Sequence, residues 1–145
     1  MTIVRDMIRN KGREVFSISP NASVFEALQM MATHNIGALL VMSEGKMAGI
    51  VSERDCIRKV ELQGRNVKET PVQDIMTRDV ITVDCDQPLE ECMSLMIDRN
   101  IRHLPVYDGG ELVGLLSVRD VLREVIEVQQ TMLSQLERYI TGGGR

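Results

Sequence analysis

A pattern in the first half of this chain returns about 65 residues later, and a repeat of that length sets what the chain folds into. The first copy reads Asn35-Ile36-Gly37-Ala38-Leu39-Leu40-Val41, then Gly49-Ile50-Val51-Ser52-Glu53-Arg54-Asp55. The second reads Asn100-Ile101-Arg102-His103-Leu104-Pro105-Val106, then Gly114-Leu115-Leu116-Ser117-Val118-Arg119-Asp120. Self-similarity on this scale means two copies of one supersecondary unit, each needing the other to bury its apolar face. Two such copies pack about a pseudo-two-fold axis and leave paired clefts between them, where function is expected.

The pattern of hydrophobicity assigns the elements of each copy. The fold class it implies is α/β (α+β): each copy is a small β-sheet with two packed helices. The boundaries fall at 1–65 for the first copy, 66–126 for the second and 127–145 for a C-terminal helical extension and tail. A helical segment Thr2–Arg9 opens the first copy. Its counterpart is Thr70–Met76, with Thr70 as cap, Pro71 at the first helical position and Gln73 completing a capping box. After the basic loop Lys11-Gly12-Arg13, β-branched strands are expected at Val15–Ile18 and Val80–Val83. A helix over Ser23–His34 carries Val24, Ala27, Leu28 and Met31 on one face. Its twin starts at Pro88 and carries Leu89, Cys92, Met93 and Met96. Strands over Ala38–Met42 and Met47–Val51 flank the turn Ser43-Glu44-Gly45-Lys46, and Asp108-Gly109-Gly110 is the matching hairpin turn. Helices then start at Ser52 and Ser117, and Gly64 stops the first of them.

The last helix runs on to about Tyr139, with Val118, Leu122, Val125, Met132, Leu136 and Ile140 at helical spacing and Gln129 interrupting. Such an extension covers a neighbouring surface, of its own domain or of a partner subunit. A homodimer is the expected outcome, and the Gly142–Arg145 tail is expected to be disordered.

Composition excludes several classes of function. A 43% apolar share supplies a core for the 145 residues, but there are only two Phe, two Tyr and no Trp. The core is therefore aliphatic, with ten Met residues as adaptable filler or as part of a subunit contact. A formal charge of -4 and the absence of interleaved basic and aromatic residues argue against nucleic acid as a partner. Cys56, Cys85 and Cys92 are an odd number without a CxxC pair, so neither a disulfide framework nor a metal site is expected. No apolar run reaches the length of a membrane span, and no signal-peptide core follows Met1. A cytoplasmic protein with no membrane partner is expected.

Chemistry is concentrated in Gly-apolar-apolar-Ser-x-Arg-Asp, which stands where a strand ends and a helix begins in both copies. The helix N-terminus offers unpaired N–H groups to an anion. The Asp carboxylate suits a vicinal diol such as a ribose, and Arg54 and Arg119 match phosphate oxygens. The competing reading is a capping box with an acid complementing the helix dipole. An Arg before each Asp, which capping does not need, and the cationic pair Arg102-His103 favour ligand binding. Gly37-Ala38 replaces that pair in the first copy, so the two sites are not equivalent. Glu53 is positioned to divert Arg54 into an ion pair, and His34 reads as a solvated or dipole-complementing residue at a helix end. No nucleophile–base pair or paired carboxylates suggest catalysis.

These motifs and their order resemble the CBS-domain family (named after cystathionine beta-synthase), in particular the tandem pair called a Bateman module and its small stand-alone bacterial members. The resemblance covers about residues 2 to 126. It implies two CBS repeats binding adenosine-containing ligands (AMP first, with ADP, ATP, NAD or S-adenosylmethionine as alternatives) in clefts between the repeats. Asp55 and Asp120, with Ser52 and Ser117 beside them, would hold the ribose. One cleft would join Ser52 and Asp55 to Ile81, Thr82, Ile101 and Arg102. The other would join Ser117 and Asp120 to Phe16, Ser17, Ile36 and Gly37. His103, Arg102, Arg54, Arg119 and Lys11 would contact phosphates. The function so implied is a non-catalytic adenine-nucleotide sensor of energy or redox state, acting on an unidentified regulated protein. The alternative is a structural or partner-binding adaptor with vestigial clefts. An enzyme regulated through its cysteines is the weakest reading.

Overall fold

The computed structural model describes residues 1–12 and 14–143, and it contains five α-helices and two three-stranded sheets. Packing divides the chain into two compact units, Glu14–Ile81 and Met1–Arg13 with Thr82–Arg145. These units cut the chain elsewhere than the sequence copies do, because the segment preceding each copy's first strand packs with the other copy.

In the unit Glu14–Ile81, strands β1 (Ser17–Ile18), β2 (Ala38–Ser43) and β3 (Lys46–Ser52) lie in that order. β1 runs parallel to β2, and β3 runs antiparallel to it. Helices α2 (Val24–His34) and α3 (Glu53–Lys59) supply Val24, Ala27, Met31 and Cys56 to a core shared with Leu39, Val41 and Val51. The segment after Gly64 closes this core with Val72, Ile75 and Met76. It is tied by Val24 N–H to the Thr70 carbonyl and Val72 N–H to the Ala22 carbonyl, both at 2.8 Å.

The other unit repeats the plan. β4 (Val83–Asp84), β5 (His103–Asp108) and β6 (Glu111–Ser117) form the sheet, with α1 (Val4–Lys11), α4 (Leu89–Asp98) and α5 (Val118–Arg138) around it. α1 is held by Val4 N–H to the Gln87 carbonyl and Arg5 N–H to the Cys85 carbonyl, both at 2.9 Å. The Arg5 guanidinium reaches Asp108 and Asp86 at 3.0 Å each, and these contacts hold it well above its ordinary pKa, Asp108 first. Gly114 lets α1 approach closely: a Cβ there would lie 2.5 Å from Ile8 Cδ1.

Both hairpins turn through left-handed residues, Glu44 and Gly45 in one and Gly109 and Gly110 in the other, as the turn sequences require. Asn35 and Asn100, both at φ 53°, end the preceding helices. Gly64 takes φ 68° and stops the turn that follows α3.

Several expectations are corrected. The opening helix spans Val4–Lys11 rather than Thr2–Arg9, with Asp6 accepting from the Ile3 N–H at its start. Its counterpart is only a 3-10 turn, Val72–Asp74, with Pro71 as its cap residue. Thr70 does not cap it, because its buried hydroxyl turns back to donate to the Asn66 carbonyl at 2.8 Å. The first strand of each copy is two residues long, because only Ser17–Ile18 and Val83–Asp84 find a register on the neighbouring strand. In α5 the apolar stripe splits. Val121 is buried and Val118 and Val125 half-buried, whereas Leu122, Ile126, Met132, Leu133 and Leu136 stay exposed. Past Arg138 the chain continues as a π-helical turn, Tyr139–Gly143. Arg13 of the expected basic loop and Gly144 and Arg145 of the expected tail lie outside the described residues. Among the described residues no helix is long and apolar enough to cross a membrane.

Candidate functional site

The two Ser-x-x-Asp turns are built alike. Ser52 and Ser117 end their strands in extended conformation, and α3 and α5 begin at the next residue. The Ser52 hydroxyl accepts from Asp55 N–H at 3.1 Å, while Asp55 Oδ2 accepts from Ser52 N–H at 3.0 Å. Ser117 and Asp120 make the same pair of bonds at 3.1 and 2.8 Å. Both acids are therefore members of capping boxes, each satisfying an N–H that the helix leaves unpaired. The residue just before the neighbouring strand seals each turn: Glu53 N–H donates to the Gly37 carbonyl, and Val118 N–H to the Arg102 carbonyl, both at 3.0 Å.

Each unit thus gathers its own set of candidates. Glu14–Ile81 holds Phe16, Ser17, Ile36, Gly37, Ser52, Arg54, Asp55 and Ile81. The other unit holds Lys11, Thr82, Ile101, Arg102, His103, Ser117, Arg119 and Asp120. Within a unit, each Asp sits beside the strand of its own copy.

Cations distinguish the two turns. Lys11 Nζ lies 2.6 Å from Asp120 Oδ2 and also donates to the Leu115 carbonyl. Burial pushes the Asp120 carboxyl pKa up, but the Lys11 hydrogen bond, the Ser117 N–H and the Lys11 charge outweigh it and hold the pKa below its ordinary value. Asp55 has Lys59 instead, one helical turn along, with Nζ 3.3 Å from Oδ1 and donating to the Ile75 carbonyl at 3.0 Å. Lys59 was not a candidate from sequence, although its spacing of four from Asp55 is the signal for such a pair. The backbone carbonyl of Ile50, which matches Leu115, accepts from Thr77 N–H at 2.9 Å. The Lys11 side chain therefore serves in one unit the position that Thr77 backbone serves in the other.

Other candidates fall differently. Arg102 and Arg119 are exposed, and Arg54 and His103 are half-buried. Among the described residues Arg54 makes no ion pair with Glu53; the pair on this helix is Asp55 with Lys59. His34 is not simply solvated: its ring stacks on Phe16 with centroids 3.9 Å apart.

The two copies share one strand–helix plan, each closing on a Ser-capped helix with an acid in its first turn. The family described as "CBS domain" matches residues 4–62 and 72–127, about four fifths of the chain. The chain belongs to the CBS-domain family. The CBS domain-containing protein CBSX3, mitochondrial, of Arabidopsis thaliana is 37% identical over 151 residues, covering 98% of this chain and 73% of the relative. The crystal structure of the CBS domain NE2398 superposes with a TM-score of 0.83 at 46% identity, covering 86% of this chain and 98% of that one. The CBS domain pair of protein MJ0100, solved in complex with 5′-methylthioadenosine and S-adenosyl-L-methionine, has a TM-score of 0.75 at 31% identity over 86% of this chain and 96% of that one. CBS-pair proteins of this kind are regulatory rather than catalytic.

Proposed function

We propose that this CBS pair is a non-catalytic regulatory module that binds an adenosine-containing ligand at its Ser-x-x-Asp turns, with Asp120 as the principal sugar contact. The observation that carries the reading is a division of labour on one carboxylate. Asp120 Oδ2 takes the Ser117 N–H at 2.8 Å and the Lys11 ammonium at 2.6 Å. Oδ1 is left to accept from the vicinal hydroxyls of a ribose, so capping and sugar binding use different oxygens. Lys11, and Arg102, whose carbonyl seals the turn just before β5, supply positive charge for phosphates. At Asp55 the corresponding oxygen already faces Lys59 at 3.3 Å, and Gly37 stands in place of Arg102, which makes it the weaker site.

The relative solved with 5′-methylthioadenosine and S-adenosyl-L-methionine supports an adenosyl ligand, because both molecules share the adenine and ribose of AMP, ATP and NAD. A regulated protein that prefers the bound form would then read ligand level through a coupling of about 1–3 kcal/mol.

The test is a thermal-shift panel of AMP, ADP, ATP, NAD, S-adenosylmethionine and 5′-methylthioadenosine on nucleotide-stripped protein. A ligand present at about 100 times its Kd stabilises the folded state by about 2.7 kcal/mol. For a chain of this length that raises Tm by roughly 9 °C, at about 2.1 cal/mol/K of unfolding entropy per residue. Asp120→Asn keeps an oxygen for the cap and should weaken the ligand by about 1.5–3 kcal/mol, roughly tenfold to over a hundredfold by calorimetry. No shift with any ligand, or unchanged affinity in Asp120→Asn, would instead support the adaptor reading with vestigial sites.

A further inference from the structure

We infer that Arg5 is a positioning residue for the Asp120 turn, pinning one end of α1 so that Lys11 at the other end is held on the carboxylate. The inference rests on the adenosine-ligand reading for what that carboxylate binds, but not for how it is held. Three contacts follow one another along α1 and along the hairpin it packs against. At the turn of the hairpin, Arg5 Nη1 lies 3.0 Å from Asp108 Oδ2, and Nη2 lies 3.0 Å from Asp86 Oδ1. Asp108 ends β5 opposite Glu111. Midway, Ile8 comes close to Gly114, where a Cβ would meet it. At the far end, Lys11 Nζ donates to the Leu115 carbonyl and, at 2.6 Å, to Asp120 Oδ2. Lys11 stands six residues after Arg5, about 9 Å along the helix at 1.5 Å per residue.

The guanidinium fork fixes what the other contacts leave loose. α1 is eight residues long, too short to hold a helix by itself, and takes its order from docking. Its buried Val4, Met7 and Ile8 supply that docking, but apolar burial is non-directional. The Val4 and Arg5 N–H groups tie its first turn to Gln87 and Cys85, in the segment between β4 and α4. The Arg5 side chain adds a directional, charge-assisted tie to the β5–β6 hairpin, the element that carries Leu115 and leads into Asp120. Lys11 needs that support, because its ammonium is a point charge on a flexible stem. In the other copy Gln73 stands at the place of Arg5, and the Ile50 carbonyl takes the Thr77 N–H instead of a lysine. A backbone donor needs no such brace, so the arginine and the lysine occur together in the copy whose carbonyl is met by a side chain.

NMR titration of the Asp120 side-chain carboxyl in the full chain, with calorimetry of AMP binding, tests this. In the parent, burial pushes the Asp120 carboxyl up, and the Lys11 and Ser117 contacts outweigh it and hold the group below its ordinary value. Arg5→Met leaves Lys11, Ser117 and Asp120 in place, so a merely structural arginine would leave that titration where it is in the folded variant. With Lys11 no longer held, the Asp120 titration should move up toward the ordinary carboxylate value, and AMP affinity should fall roughly threefold to thirtyfold. Asp86→Ala removes one of the two acceptors at an exposed position and should move both readouts the same way by less, which decides the matter where Arg5→Met does not fold. An Asp120 titration that the folded variants leave unchanged would overturn the inference. A shifted titration with unchanged AMP affinity would overturn the part of it that concerns binding. A parent that binds no AMP would count against the adenosine reading, and the titration would still decide whether Arg5 positions Lys11.

Discussion

The ion pair between Lys11 and Asp120 joins α1 to the start of α5 and can be isolated by a double-mutant cycle. Asp120→Ala removes the acceptor for the Ser117 N–H, a capping contribution of about 1 kcal/mol. It also removes the pair with Lys11, whose side chain is 34% exposed against 14% for Asp120. Solvent screening on the Lys11 side holds that pair to about 1 kcal/mol. The loss totals about 2 kcal/mol, or roughly 7 °C of Tm in a chain of this length. Lys11→Met keeps the aliphatic stem along α1 and drops only the ammonium contacts, costing about 1 kcal/mol. The double variant should cost about 2 rather than 3 kcal/mol, leaving a coupling near 1 kcal/mol. Asp55→Ala is the internal control: it loses the same cap but only a one-turn pair with Lys59 worth about 0.3–0.5 kcal/mol, so it should melt higher than Asp120→Ala. Urea unfolding with an unchanged m-value is the assay. Strict additivity of Lys11→Met and Asp120→Ala, or an Asp55→Ala loss as large as that of Asp120→Ala, would refute the assignment.

Three further outcomes follow from the same geometry. Asp120 titrates below its unfolded value of about 3.9. Its ionised form therefore stabilises the fold fully above about pH 4, and that contribution is lost as pH falls through the depressed pKa. The Tm gap between the parent and Asp120→Asn should close as pH falls below about 4 and through the depressed pKa, and a constant gap contradicts this. Cys56 and Cys92 are pushed up to about 11, first by burial and then by Asp55 and Glu53 for one and Glu91 for the other. A thiol reagent at about pH 8 should label them only on unfolding, and rapid native labelling would oppose the reading. Above about pH 8.5 this protonated-thiol stabilisation is lost as pH rises toward the folded values. A Cβ on Gly49 would lie 2.5 Å from the Thr77 carbonyl oxygen, a backbone atom, whereas one on Gly114 meets the far end of the Ile8 side chain. Gly49→Ala should cost about 2–3 kcal/mol and Gly114→Ala about 1 kcal/mol or less in urea unfolding. Equal losses would show that the Thr77 backbone yields.

Features decided within a few residues were legible in the linear chain. The two copies, the left-handed turns at Glu44-Gly45 and Gly109-Gly110, the stop at Gly64 and the helix starts at Ser52 and Ser117 all rest on local backbone preferences and short side-chain hydrogen bonds. The Ser-x-x-Asp motif was legible too, although composition and spacing left capping and sugar binding as rivals. The structure establishes the capping bonds, through Oδ2 of each Asp. Less legible were contacts between residues far apart in sequence. Lys11 and Asp120 are separated by 109 positions, and nothing near Lys11 marks it as the partner of that carboxylate. The stack of Phe16 on His34 depends on where β1 meets the end of α2. The same holds for Thr70, whose cap signal was genuine in isolation but lost to the Asn66 carbonyl once Pro71 began only a single short turn.

The amino-acid order alone determined that the chain holds two matching strand–helix units, each with an acid in the first turn of a capped helix, because hydrophobic period and capping chemistry act over one or two turns. Tertiary structure alone decided that α1 packs with the second copy and residues 66–77 with the first, that Lys11 rather than a neighbouring arginine neutralises Asp120, and which side of α5 stays exposed. Those outcomes depend on apolar area and charge brought together by the whole chain, and no local window carries that information.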